Sequence, residues 1–242
     1  MSDIRQGDDH VMGVGPSGGV YRGTQFVPYE TKPRIPVIDD AYGLAEELHE
    51  GQVRKSTGRP YFEEHLLKVG KIVQAAGGSD VVIMAALLHD AIEDQPDRDP
   101  DGRIREVCGQ EVLDLVRECT EIGPGGEDKA PWIDRKRAYL EHLKSVSVGA
   151  LLISVADKLQ SARDDLKPYV EAQGDSFYNI FKKAGDTQRE RKQNTLWFHR
   201  QLDDAFKARL DALASEYGID DLDGIARLIG KFQEVVSWLE SH

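Results

Sequence analysis

Cysteine is nearly missing: Cys108 and Cys119 are the only two in 242 residues. Two thiols cannot build the disulfide framework of a small secreted domain, and their spacing fits no zinc ribbon. A reducing cytoplasm is therefore the expected compartment. Long apolar runs are missing too. No stretch of about 18 consecutive apolar residues occurs, so no membrane-crossing helix is expected. The opening residues, Met1 to Asp9, carry acids and lack the apolar core of a signal peptide. Positive charge is in deficit, with 31 Lys and Arg against 43 Asp and Glu and a net charge of −12. A nucleic-acid partner needs clustered cations along a phosphate backbone and is not expected. A small phosphorylated ligand is not excluded, because a divalent cation and a few local basic residues can dominate the field inside a pocket.

Strand signals are scarce as well. Few segments alternate with period two, and Val/Ile/Thr-rich runs are absent. What is present is helical patterning from Ile38 almost to the end, with 40% hydrophobic and 31% charged residues, the balance of a soluble, folded chain. The spacing predicts helices near 39–51, 61–76, 79–94, 109–121, 133–145, 147–165, 185–216 and 220–239. Pro96 and Pro100 break the chain between the third and fourth. Residues 1–37 read as a turn-rich tail, with Gly13, Gly15, Gly18, Gly19 and Gly23 among Pro and polar residues. The fold class is all-α.

Chemistry concentrates in Leu87-Leu88-His89-Asp90-Ala91-Ile92-Glu93-Asp94. On a continuous helix, His89, Asp90, Glu93 and Asp94 fall within an arc of about 140°, and Val81, Met84, Ala85, Leu88, Ala91 and Ile92 take the other side. Three carboxylates this close repel one another unless a cation or a proton relieves them. A divalent metal does so economically, since imidazole and carboxylate are both ordinary ligands. Asp157 lies in Ala150-Leu151-Leu152-Ile153-Ser154-Val155-Ala156-Asp157-Lys158-Leu159, a run too apolar for a surface helix. A buried carboxylate there needs a partner: a metal, or Lys158 or Arg163 in an ion pair. His65 shares a helix face with Val69, Ile72 and Ala76 and points toward the core. It is either a hydrogen-bonded core histidine or the member that completes a His, His-Asp, Asp set. His49, His142 and His199 have no such context and read as structural or surface residues.

These blocks, in this order, resemble the HD superfamily, and within it the hydrolase domain of the RelA/SpoT alarmone enzymes and their small stand-alone relatives. Ala45 to Ser56, with the Arg54-Lys55-Ser56 turn, looks like the family's opening helix and basic turn. Pro60-Tyr61 followed by His65 looks like the block of the first metal histidine. Leu87 to Asp94 matches the HD block, Asp134-Arg135-Lys136-Arg137 a basic helix, and Val155 to Leu159 the last metal block. The match spans about 40–165, and Thr195-Leu196-Trp197-Phe198 resembles a further segment of small HD hydrolases.

The resemblance implies an HD-type helical bundle over 38–184, preceded by the Gly-rich tail, with 185–242 as a helical extension packed on it. It implies one manganese ion per chain, held by His65, His89, Asp90 and Asp157. It implies Glu93 and Asp94 as the residues that position or activate the attacking water. The reaction implied is removal of 3′-pyrophosphate from a guanosine polyphosphate, the (p)ppGpp type of alarmone. Arg54, Lys55, Ser56, Ser161 and Asp164 would meet the nucleotide, and Arg135, Lys136 and Lys158 would offset phosphate charge. The chain departs from the family in three places. One residue more than usual separates Tyr61 from His65. Gln160 and Ser161 stand where the family has an aromatic or His followed by Asn. Asp164 replaces a small polar residue. The other readings are a phosphomonoesterase acting on another nucleotide or a phosphorylated dinucleotide, and a nucleotide-sensing HD domain without turnover.

Overall fold

Two helices are apolar on nearly every side, and such helices must be enclosed. One is α3 (Asp80–Leu88), buried at every residue from Ile83 to Leu88, and the other is α8 (Val148–Gln160), buried from Ala150 through Asp157. The computed structural model describes residues 11–14, 19–22, 25–28, 36–120, 130–217 and 222–242. In it α1 (Ile38–Leu48), α2 (Leu67–Ala75), α6 (Gln110–Cys119) and α8 all pack against α3, and α11 (Asp223–Glu240) packs along α8. Gly70 permits the close approach of α2 to α3, since a Cβ there would lie 2.9 Å from the Leu87 side chain. Gly224 does the same where α11 starts, where a Cβ would fall 1.9 Å from the Ala76 carbonyl oxygen.

The remaining helices are α4 (Ala91–Asp94), α5 (Pro100–Cys108), α7 (Trp132–His142), α9 (Lys167–Gln173) and α10 (Gln188–Tyr217). The chain forms two units, Met1–Ile35 and Pro36–His242, so the C-terminal helices belong to the same unit as α1–α9. No helix among the described residues is long and apolar enough to cross a membrane.

The helical class stands as expected, but four local expectations do not. The segment read as a turn-rich tail carries three four-residue strands, β1 (Val11–Val14), β2 (Gly19–Arg22) and β3 (Gln25–Pro28), in an antiparallel meander with Val20 opposite Val27. Strands this short show too few alternations to register as a period. Gly15, Gly18 and Gly23 lie outside the described residues. The predicted 79–94 helix is broken at His89-Asp90, where Asp90 has ψ near zero and α4 starts anew. Pro96 and Pro100 do not merely break the chain. Each occupies the first turn of a helix, where the missing N–H costs nothing, and Asp99 caps α5 by accepting from Gly102 N at 3.3 Å. Finally, two π-helical turns interrupt predicted α-helices, at Phe62–Leu66 and Ser161–Leu166.

Candidate metal centre and its cleft

A π-turn accommodates one extra residue within a helix without shifting the residues on either side. The first π-turn falls between Tyr61 and His65, where the sequence holds one residue more than the resemblance predicts. It leaves His65 buried and facing α3 and α8 instead of rotated to the surface. The break at His89-Asp90 acts similarly, letting adjacent residues turn toward one point.

The four expected ligands converge. His65 Nε2 lies 3.3 Å from both Asp90 Oδ2 and Asp157 Oδ1. His89 Nε2 lies 3.2 Å from Asp90 Oδ2 and 3.9 Å from Asp157 Oδ1. Adjacent ligands about 2.1 Å from one octahedral ion sit about 3 Å apart, so these separations suit a shared cation. The ring tautomers agree. His89 Nδ1 donates to the Ala86 carbonyl at 2.8 Å, and His65 Nδ1 donates to Gln160 Oε1 at 2.5 Å. Gln160 is oriented for this by donating from Nε2 to the Glu64 carbonyl at 3.2 Å. With the rings neutral, each Nε2 would therefore carry its lone pair toward the centre, and that of His89 is buried without a hydrogen-bond partner.

Two imidazoles and two carboxylates facing one another call for a positive charge, either a proton on an imidazole or a bound cation. Burial opposes charge on His89, yet Asp90 and Asp157 outweigh it and push its pKa up to about 9. Burial would likewise raise both carboxylates, but His89 and His65 hold Asp90 low, and Lys158 with the two histidines holds Asp157 low. The set thus retains its anions and draws in a positive species, which a proton on His89 or a metal ion can supply.

Outer partners hold this set in place, and one of them, Lys158, is the ion-pair partner that the sequence offered for Asp157. Tyr61 donates to Asp90 Oδ2 at 2.6 Å, and Lys158 donates to Asp157 Oδ2 at 2.6 Å, leaving Asp157 Oδ1 for the centre. His49, expected to be an ordinary structural or surface residue, is buried and stacks on Tyr61. Its Nδ1 donates to Gln52 Oε1 at 2.7 Å, and Gln52 Nε2 donates to Asp94 Oδ2 at 2.8 Å. His49, Gln52 and Tyr61 belong to blocks that carried the resemblance, but only their partners in space reveal what they do.

A cleft of about 1230 Å³ opens beside the centre. It is lined by Arg54, Lys55, Ser56, Glu93, Asp94, Arg135, Lys136, Lys158 and Ser161, so it gathers all but one of the expected catalytic and nucleotide-facing residues. Asp164 is the exception. Its carboxylate is taken by Arg163, with Nε to Oδ1 at 2.5 Å, and by Gln160 at 3.4 Å, and it does not line the cleft. The second π-turn presents Asp165 there instead. Asp165 Oδ2 accepts from Arg54 Nε at 2.8 Å, and Oδ1 accepts from Ser56 at 3.0 Å. Ser161 accepts from Arg54 Nη2 at 2.8 Å, so the space left by a smaller side chain is occupied by the guanidinium, which also lies over the Tyr61 ring. In a chain of net charge −12, the described residues lining this cleft include seven Lys and Arg and three carboxylates, which suits an anionic ligand.

The sequence pattern of the HD domain matches residues 41–178. The chain is 35% identical over 130 residues to a Xenopus tropicalis protein named guanosine-3′,5′-bis(diphosphate) 3′-pyrophosphohydrolase MESH1, a match covering 53% of this chain and 69% of that one. It is 31% identical over 141 residues to the bifunctional (p)ppGpp synthase/hydrolase SpoT of Escherichia coli, covering 56% of this chain but only 19% of SpoT. Among solved structures, a metazoan SpoT orthologue described as hydrolysing ppGpp superposes with a TM-score of 0.59 at 25% identity, covering 83% of this chain and 94% of that one. With more than half its length matched, this chain belongs to the HD domain family.

Proposed function

We propose that this protein is a metal-dependent phosphohydrolase that removes pyrophosphate from the 3′ position of a guanosine polyphosphate. The observation that carries the reading is the convergence of His65, His89, Asp90 and Asp157 on one point beside a cleft whose lining is cationic. The names borne by the MESH1 and SpoT relatives support the choice of substrate. In this reading the four side chains hold one divalent ion, with manganese as the native metal. When bound, that ion supplies Lewis acidity toward a phosphoryl oxygen.

The chain's own residues do the rest. Glu93 and Asp94, both exposed on the cleft side of α4, orient the attacking water and accept its proton. The Gln52 amide fixes Asp94 for this task. Lys158, Arg135 and Lys136 offset charge on the departing pyrophosphate. Arg54, which lies over the Tyr61 ring and is bonded to Asp165 and Ser161, offers its guanidinium to the base, with Lys55 and Ser56 beside it. Residues 38–184 act as the hydrolase domain, and 185–242 complete the cleft wall through Thr195, Phe198 and His199. The two free thiols, Cys108 and Cys119, are compatible with a cytoplasmic setting.

The test is turnover with manganese across guanosine and adenosine 3′-pyrophosphates, mononucleotides and phosphorylated dinucleotides. The reading expects pyrophosphate release from 3′-pyrophosphorylated guanosine at the highest kcat/KM. No cleavage of any 3′-pyrophosphorylated nucleotide, alongside robust turnover of another phosphate ester, overturns the substrate assignment and leaves the metal centre standing.

A further inference from the structure

A second cavity meets the cleft at Gln52 and Val53, which line both. It holds about 460 Å³, inside the roughly 300–1000 Å³ of small-ligand pockets. Its charge is the reverse of the cleft's. Glu46, Glu47, Glu50 and Glu63 line it, and its described lining residues include no Lys or Arg. We infer that this cavity binds an aliphatic polyamine, whose ammonium groups meet the carboxylates and one of whose N–H groups donates to His49 Nε2. The site rests on geometry alone; its bearing on turnover rests on the hydrolase reading above.

Exposed acids by themselves would mark nothing more than a solvated surface, and His49 is what sets this group apart. It lines the cavity and not the cleft, and it is only 2% exposed. Its Nδ1 donates to Gln52 Oε1 at 2.7 Å. The Gln52 amide cannot turn over to reverse that bond, because its Nε2 donates to Asp94 at 2.8 Å and its Oε1 also accepts from Gln95 Nε2 at 2.5 Å. The proton of a neutral ring therefore sits on Nδ1, which leaves Nε2 as an acceptor. Burial lowers the pKa of the ring and keeps it neutral. Nε2 is itself buried and has no hydrogen-bond partner among the described residues. A buried acceptor left unpaired is costly, and a donor arriving in the cavity relieves it.

The spread of the carboxylates selects the kind of cation. Among the described residues, the ligand atoms brought close enough to hold a bare ion are those of His65, His89 and Asp157, and none from this cavity joins them. Glu46 belongs to α1, Glu50 follows its C-terminus, and Glu63 lies in the first π-turn. Glu47 is already paired, with Arg103 at 2.6 Å. Three separated carboxylates suit a cation whose charges are spaced along a chain. Val53, Pro60 and Phe62 supply apolar wall for the methylenes between those charges. An N–H donated to His49 Nε2 also polarises the ring and strengthens donation from Nδ1 to Gln52, since hydrogen bonds in a chain reinforce one another. Gln52 holds Asp94, so occupancy of the cavity reaches the cleft.

The test uses the full-length protein and spermidine. Calorimetric titration compares wild type, Glu46→Gln/Glu50→Gln/Glu63→Gln, and a control of equal charge, Glu106→Gln/Glu171→Gln/Glu234→Gln. All six glutamates are exposed, so both variants should fold normally. Wild type and control should bind one equivalent with similar affinity, and the cavity variant should bind at least about tenfold more weakly through its lost charge-assisted contacts. Nitrogen NMR of the wild type is the second readout. Spermidine should move the His49 Nε2 resonance in the direction of an accepted hydrogen bond and shift the Gln52 side-chain amide with it. Equal weakening in the two variants would mark diffuse attraction to a chain of net charge −12 and overturn the site. Absence of binding, or binding that leaves His49 Nε2 unmoved, overturns it as well. A response at both side chains in a protein that releases no pyrophosphate from any substrate upholds the site and overturns the hydrolase reading.

Discussion

Asp157 shows how a single side chain can serve two partners. Oδ2 accepts from Lys158 at 2.6 Å, while Oδ1 faces both histidines. Gln160 has an equivalent division, accepting from His65 on one side and donating to the Glu64 carbonyl on the other. It fixes the tautomer that leaves His65 Nε2 free to bind a cation. Loss of such an outer partner commonly costs 10- to 100-fold in metal affinity, roughly, and Gln160→Ala should fall in that range by competition with a chelator. Glu93 is expected to act in turnover instead. Glu93→Gln keeps shape and hydrogen bonding but removes the base, so it should retain metal and lose at least about 100-fold in kcat. Near-normal kcat in that variant would move the base elsewhere. Asp157 was legible from sequence because an acid inside a long apolar run demands a partner. Gln160, Tyr61 and Asp165 were not, because an amide, a phenol or a second carboxylate in a polar stretch gains meaning only from what lies across the fold.

At the scale of elements, the two π-turns and the break at His89 decide where the site residues point. Regular 3.6-residue periodicity predicted continuous helices through all three places. Asp164 was expected in the cleft because the resemblance put it there; one extra residue in the Ser161–Leu166 turn moves the facing position along by one, to Asp165. The same account makes the first π-turn an insertion that costs little function. Glu63 is exposed within it, and deleting Glu63 should restore an α-helical turn with Tyr61 and His65 still in place. Metal content near the wild-type level supports this; metal loss in a folded deletion variant would mean that the π-turn itself aims His65.

The molecule as a whole joins the C-terminal helices to the site through His199. Burial, then Lys158 and Lys136, lower its pKa to about 4 against a hydrogen bond to the Thr195 carbonyl at 2.8 Å. The ring also stacks on Phe232 of α11. A histidine held neutral in the folded state stabilises fully above its unfolded pKa near 6.5. That contribution is lost as pH falls toward 4, because the unfolded chain takes up the proton first. By pH 5 the loss should approach about 2 kcal/mol. Urea unfolding of wild type and His199→Phe at pH 7 and pH 5 checks this: the difference between the two proteins should shift toward the variant at pH 5, and a pH-independent difference would contradict it.

The claim on which the rest depends is that His65, His89, Asp90 and Asp157 together hold one metal ion. Elemental analysis of protein prepared without chelator measures this directly in wild type, His89→Ala and Asp157→Ala. The account predicts close to one equivalent of manganese, or a divalent substitute, in the wild type and little in either folded variant. Full occupancy in both variants would contradict it.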